Sequence, residues 1–268
     1  MIKPDEKNRH NKIFVFGSKV TGPSHLVKNT PCQDAWNFKI PVDNTAIIAV
    51  SDGLGSALHS DTGSKLAVNT AIESISNHFL IRYEDGIFSA DITKNNCLIK
   101  DAFQDAVSKL KDYSGENNIP IRDLACTLIV IFIDKNEICI GQIGDGGVVG
   151  MCDAKSIILS EPAQSEYINE VTPITSANWN EKLKISSHNK DIRALAAFTD
   201  GCQRAVLVKK NEIYEPFEPF FKPLLKYSLS AENAEDASED VKNLLSSGKM
   251  TENSDDDKTL VIAAIDNI

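Results

Sequence analysis

The stretch Thr45-Ala-Ile-Ile-Ala-Val-Ser-Asp-Gly-Leu-Gly55 decides how the rest of the chain is read. Residues 46–50 form a short apolar run, which predicts a buried strand. The run ends in Ser51, Asp52 and Gly53, with Gly55 close behind. A carboxylate at the mouth of a buried strand, followed by glycines, suits a bound cation or phosphate. Glycine lets the backbone turn sharply and come close to a ligand. The same residues also make an ordinary strand and Asp-Gly turn. Repetition favours the ligand reading, because the design returns at Asp145 and at Asp200.

Working outward, residues 13–20 and 35–40 read as strands on either side of a loop at 21–31, which is punctuated by Gly22, Pro23 and Pro31. After the central strand, apolar residues recur at helical spacing over 62–79 and again over 91–113, with a loop around 82–89. The period then changes. Residues 125–133, 137–143 and 148–152 are apolar strands with short connections, which predicts an antiparallel meander. A further strand is expected near 156–159. Residues 161–190 read as a long irregular polar loop, and loops of that length are often functional. Residues 192–199 form another strand running into Asp200-Gly201. Two helices follow at 216–229 and 231–245, then an acidic loop at 246–257 and a closing strand at 260–265. Residues 1–11 are expected to be a mobile arm, and 12–268 one domain, since no shift in composition divides them.

The composition fits a globular protein: 42% hydrophobic and 25% charged residues over 268 positions, with a formal net charge of -10. No basic stripe suggests a nucleic-acid footprint. No apolar run reaches the length of a membrane span, and the polar start has no signal-peptide character, so a soluble, cytoplasmic protein is expected; a monomer is expected as well. None of the six cysteines forms a Cys-x-x-Cys pair, which argues against a zinc or redox motif.

The carboxylates Asp34, Asp52, Asp145, Asp200, Asp256 and Asp257 all sit at the start or end of a predicted strand. If those strands are neighbours, the carboxylates converge at one sheet edge and repel each other unless cations neutralise them. Oxygen-only ligands favour Mg²⁺ or Mn²⁺. Two such ions can activate water and clamp a phosphoryl group.

Asp52-Gly53, Thr199-Asp-Gly201 and Asp256-Asp-Lys-Thr259 resemble the metal-binding motifs of the metal-dependent Ser/Thr protein phosphatases of the 2C type. Gln33-Asp34, Thr127 within its apolar strand, and Gly144-Asp145 match further motifs in family order, over about residues 17–265. Gly22-Pro-Ser-His25, Cys32-Gln-Asp-Ala35 and Asp52-Gly-Leu-Gly-Ser56 look most like a bacterial branch. The resemblance implies an α+β fold: a four-layer α-β-β-α sandwich of two packed antiparallel sheets flanked by helices. It implies hydrolysis of phosphoserine and phosphothreonine in proteins of a kinase pathway, by a metal-activated water. Asp52 would bridge two Mn²⁺ or Mg²⁺ ions and the Gly53 carbonyl would bind one of them. Asp200 and Asp256 would each hold one ion, Asp34 would act through water, and Asp145 with Asp200 would hold a third.

Three departures from the family pattern stand out. Gln33 replaces an early glutamate. Asn29 falls where a phosphate-binding arginine is usual, leaving Lys28 and His25 as substitutes. Leu54 replaces the general-acid histidine of eukaryotic members, leaving His59 as the nearest candidate proton donor. These departures support a second reading, a pseudophosphatase that binds phosphoproteins without turning them over. A third class, an aspartyl-nucleophile phosphotransferase, lacks the Asp-x-Asp that its chemistry wants.

Overall fold

The computed structural model describes residues 13–84, 92–134, 137–163, 171–188 and 192–265. Two five-stranded antiparallel sheets pack face to face, with helices on both outer faces, as the α+β reading expected. The first sheet has the order β1 (Ile13–Val20), β12 (Lys258–Ile265), β9 (Ala194–Phe198), β6 (Gly147–Met151) and β7 (Ile157–Ser160). The second has the order β2 (Ala35–Lys39), β3 (Ala46–Ser51), β4 (Leu128–Ile133), β5 (Ile138–Ile143) and β8 (Lys184–His188).

Side-chain parity explains the unbroken apolar runs. Along β4, Ile129, Ile131 and Ile133 fill the space between the sheets. Leu128, Val130 and Phe132 face the long helices α2 (Ser60–Glu84) and α3 (Ile92–Asn117) instead. A strand covered on both faces favours apolar residues along its whole length. In α2, Ala67, Val68, Ala71, Ile72 and Ile75 recur at helical spacing and are buried against the second sheet. The first sheet is covered by α5 (Asp200–Val206), α6 (Glu218–Ser230), α7 (Ala234–Leu245) and α8 (Gly248–Thr251). Asn233 caps α7, its side chain accepting the N–H groups of Glu235 and Asp236. No helix among the described residues is long and apolar enough to cross a membrane.

Several expectations are corrected. The meander is broken: β4 and β5 pair, but β6 belongs to the other sheet, so residues 144–146 cross between the two layers. The loop at 21–31 contains a short helix, α1 (Pro23–Lys28), with proline in its first turn. Helix α2 runs on to Glu84, into the expected loop at 82–89, the rest of which lies outside the described residues. Within the polar stretch 161–190, the described residues 171–188 are largely folded. Ile174 is buried, α4 (Trp179–Lys182) follows, and β8 pairs with β5. The hairpin of β10 (Leu207–Lys210) and β11 (Ile213–Pro216), α5 and α8 also form where no element was expected. The arm at residues 1–11 lies outside the described residues.

Candidate active site

The carboxylates meet because the strands that carry them end together. Asp52 follows β3 and Asp200 follows β9 by two residues, at the first turn of α5. Asp145 lies in the crossover from β5 to β6. Carboxylate oxygens of Asp52, Asp145 and Asp200 lie within 4.8 Å of one another. The crossover is tight. Gly144 has φ +117°, a conformation L side chains rarely adopt, and a Cβ there would lie 2.5 Å from the Thr127 side chain. Gly53 is equally confined, since a Cβ would meet the Ser60 backbone oxygen at 2.7 Å.

The backbone under Asp52 is held by Thr127. The Asp52 N–H donates to Thr127 Oγ1 at 2.9 Å, and the Thr127 N–H donates to the Asp52 carbonyl at 2.8 Å. Asp34 is fully buried and ties the two sheets together. Its Oδ2 accepts from Thr199 Oγ1 at 2.8 Å and from Thr259 Oγ1 at 2.6 Å, both from the first sheet's side. Among the described residues its Oδ1 is buried without a hydrogen-bond donor, as is Oδ1 of Asp145. An orphaned carboxylate oxygen is costly, and two in one site suit coordination of a cation.

The electrostatics agree. Burial raises the Asp34 carboxyl to about 6, from an ordinary value of 3.8. Burial, then the charges of Asp145, Asp256 and Asp34, raise Asp200 to about 7. Burial and the neighbouring Asp34 and Asp200 hold Asp52 well above the carboxylate range. Burial and Asp256 also raise Asp145. The carboxylates press on one another, a repulsion that divalent ions would relieve. The oxygen-only donor set suits Mg²⁺ or Mn²⁺. The nearby thiols Cys32 and Cys126 are pushed by burial to about 12, so neither is a thiolate nucleophile.

The triplet Asp255-Asp-Asp257 divides its labour. Asp256 is exposed, and its charge acts on Asp52, Asp145 and Asp200. Asp257 is buried and works inward. It accepts the Gly22 N–H at 2.7 Å and the Gln33 N–H at 2.6 Å, fixing the loop that delivers Asp34. Sequence reasoning chose Asp256 from its spacing to Thr259, and the burial pattern separates the two roles. Lys258, fully buried, donates its Nζ to the carbonyls of Ser254 at 2.7 Å and Asp256 at 2.8 Å.

The other expected residues are placed less centrally. His25 turns to Asp257, with Nδ1 2.9 Å from Oδ2. Lys28 is exposed on α1, and His59 is exposed just before α2, held through its backbone N–H to the Asp123 carbonyl. Asn29 closes α1 with φ 55°, so an Asn stands there for a left-handed cap. One cation that sequence reasoning missed is Lys19 on β1, whose Nζ donates to the main-chain carbonyl of Asp34. Nothing in the spacing of Lys19 pointed to it, because strand pairing across the chain's ends brings it there.

The sequence model of the family described as protein phosphatase 2C matches residues 21–246. Serine/threonine-protein phosphatase 3 of Escherichia coli (strain K12) is 31% identical over 256 residues, which span 93% of this chain and 97% of that protein. The crystal structure of the serine/threonine phosphatase Stp1 from Staphylococcus aureus superposes with a TM-score of 0.63 at 14% identity, covering 99% of each chain. The catalytic domain of the serine threonine protein phosphatase PstP, solved in complex with 2 manganese ions, superposes with a TM-score of 0.59 at 12% identity. That match covers 95% of this chain and 98% of the PstP domain. At these identities the two structures show a shared fold.

Proposed function

The chain belongs to the protein phosphatase 2C family, and from that premise we propose that it hydrolyses phosphoserine and phosphothreonine in proteins with divalent metal ions. The observation that carries the proposal is the convergence of Asp52, Asp145 and Asp200 beside the orphaned Asp34 oxygen. Asp52, Asp200, Asp256 and the Gly53 carbonyl are the groups we assign to hold two ions, with Asp34 acting through water and Asp145 toward a third. Bound Mn²⁺ or Mg²⁺ would supply a water nucleophile at neutral pH and offset the phosphoryl charge.

The chain's own residues do the positioning. Thr127 fixes the Asp52 backbone, and Thr199 and Thr259 hold one Asp34 oxygen while leaving the other free. Asp145 is the group we assign to the leaving-oxygen side, since His59 is exposed and Leu54 cannot carry a proton. A purely binding pseudophosphatase is disfavoured by this gathering of carboxylates. The substrates inferred are phosphoproteins made by Ser/Thr kinases.

The test is turnover of a phosphothreonine peptide by the full chain with Mn²⁺, with EDTA, and after thiol alkylation. EDTA should abolish turnover, and alkylation of exposed thiols should leave it intact. Full activity in EDTA would end the two-ion reading.

A further inference from the structure

Gln142 is an amide where a strand of this kind carries an aliphatic side chain. It lies on β5 at the same parity as Ile138 and Ile140, which fill the space between the sheets, and it is 1% exposed. A buried amide persists where its donors and acceptor are satisfied. Gln142 Nε2 lies 3.1 Å from the Gly144 carbonyl, 2.7 Å from that of Gly146 and 3.3 Å from that of Glu161. Its Oε1 accepts from Ser160 Oγ on β7, in the opposite sheet.

Those carbonyls have a topological reason to need it. Residues 144–146 leave one sheet and enter the other, so no ladder pairs them, and backbone groups buried there need another partner. The Gln142 amide supplies one on each side of Asp145, while Ala163 N–H adds a 3.3 Å contact to Gly144. Among the described residues Asp145 Oδ1 has no hydrogen-bond donor, and the carboxyl's hydrogen bond is to its own backbone N–H, so its place in the cluster depends on its backbone.

We propose that Gln142 is the positioning residue that sets Asp145 among the carboxylates, by clamping the crossover on both sides of it. The proposal rests on the reading of Asp145 as a metal-holding residue.

The experiment is a calorimetric Mn²⁺ titration of the metal-free full chain as wild type, Gln142→Met, Asp145→Asn and the double variant, with hydrogen exchange across residues 144–147. Loss of a group that orients a metal ligand typically weakens affinity roughly 10–100-fold. Gln142→Met should weaken the weakest Mn²⁺ site by an amount in that range, as should Asp145→Asn. The double variant should be no worse than Asp145→Asn alone, because both changes remove one unit. Exchange across 144–147 should accelerate in Gln142→Met and not in Asp145→Asn. A Gln142→Met titration identical to wild type, or losses that add in the double variant, would overturn the proposal. Wild type binding no Mn²⁺ would instead overturn the metal reading beneath it. Should Gln142→Met fail to fold, Gln142→Asn, which keeps a buried amide but shortens its reach, is read against the same outcomes.

Discussion

At the scale of single residues, the site turns on carboxylates that crowd each other. Asp52 is held well above the carboxylate range by burial and by Asp34 and Asp200. Asp52→Asn should therefore lower phosphopeptide turnover by orders of magnitude, and it should raise the melting temperature of the metal-free protein by removing a repelling charge. Kinetics paired with thermal melts in EDTA check both, and near-wild-type turnover would move the site elsewhere. Asp145→Asn should act selectively. An alkyl leaving group needs its proton more than an aryl one, so phosphopeptide turnover should fall much further than turnover of p-nitrophenyl phosphate. Equal rates to wild type on both substrates would reduce Asp145 to a turn residue. The convergence of Asp52, Asp145 and Asp200 was legible because each closely follows an apolar run. Lys19 was not, since strand pairing brings it to the Asp34 carbonyl, and neither were Lys258 and Gln142, whose bonds to nearby backbone carbonyls leave no pattern of residue types to read.

At the scale of elements, the strands covered on both faces were legible and the edges were not. Strands β3, β4 and β9 are uniformly buried and read as apolar runs. Strand β8, at the sheet edge, is half-exposed and carries Lys184, Ser186, Ser187 and His188, so it looked like loop. Helix α5 was hidden because seven residues beginning Asp200-Gly201 give too little periodicity to detect. The crossover was misread for a different reason. Gly144-Asp-Gly-Gly147 has good hairpin chemistry, and sequence does not say which sheet the next strand joins. The crossover also makes a prediction. Gly144→Ala would place a Cβ at positive φ and against Thr127, which itself holds Asp52. A strained backbone position of this kind costs about 1–3 kcal/mol. Urea denaturation should show a loss of that order, accompanied by reduced turnover. Unchanged stability and activity would mean that the crossover relaxes freely.

At the scale of the whole molecule, the two sheets are joined at one end by groups of like charge, so stability should depend on protons and metal together. In the metal-free chain Asp34 and Asp200 have carboxyls raised from 3.8 to about 6 and about 7. Between the ordinary and the raised values the folded chain holds protons that the unfolded chain has released. Stability therefore decreases as pH rises through that window, and the favourable contribution is complete only below the ordinary value. Divalent ions would replace those protons. Their binding requires ionised carboxylates, so their stabilising effect grows with pH. The expected result is a melting temperature in EDTA that falls relative to that in Mn²⁺ as pH climbs from about 5 to about 8, with the two curves drawing together at the acid end. Differential scanning calorimetry across that range reads the gap directly. Acid effects on distant ion pairs act on both curves alike and cancel in the difference. Parallel curves, or a gap that narrows toward alkaline pH, would mean that the carboxylate cluster is neither strained without metal nor relieved by it.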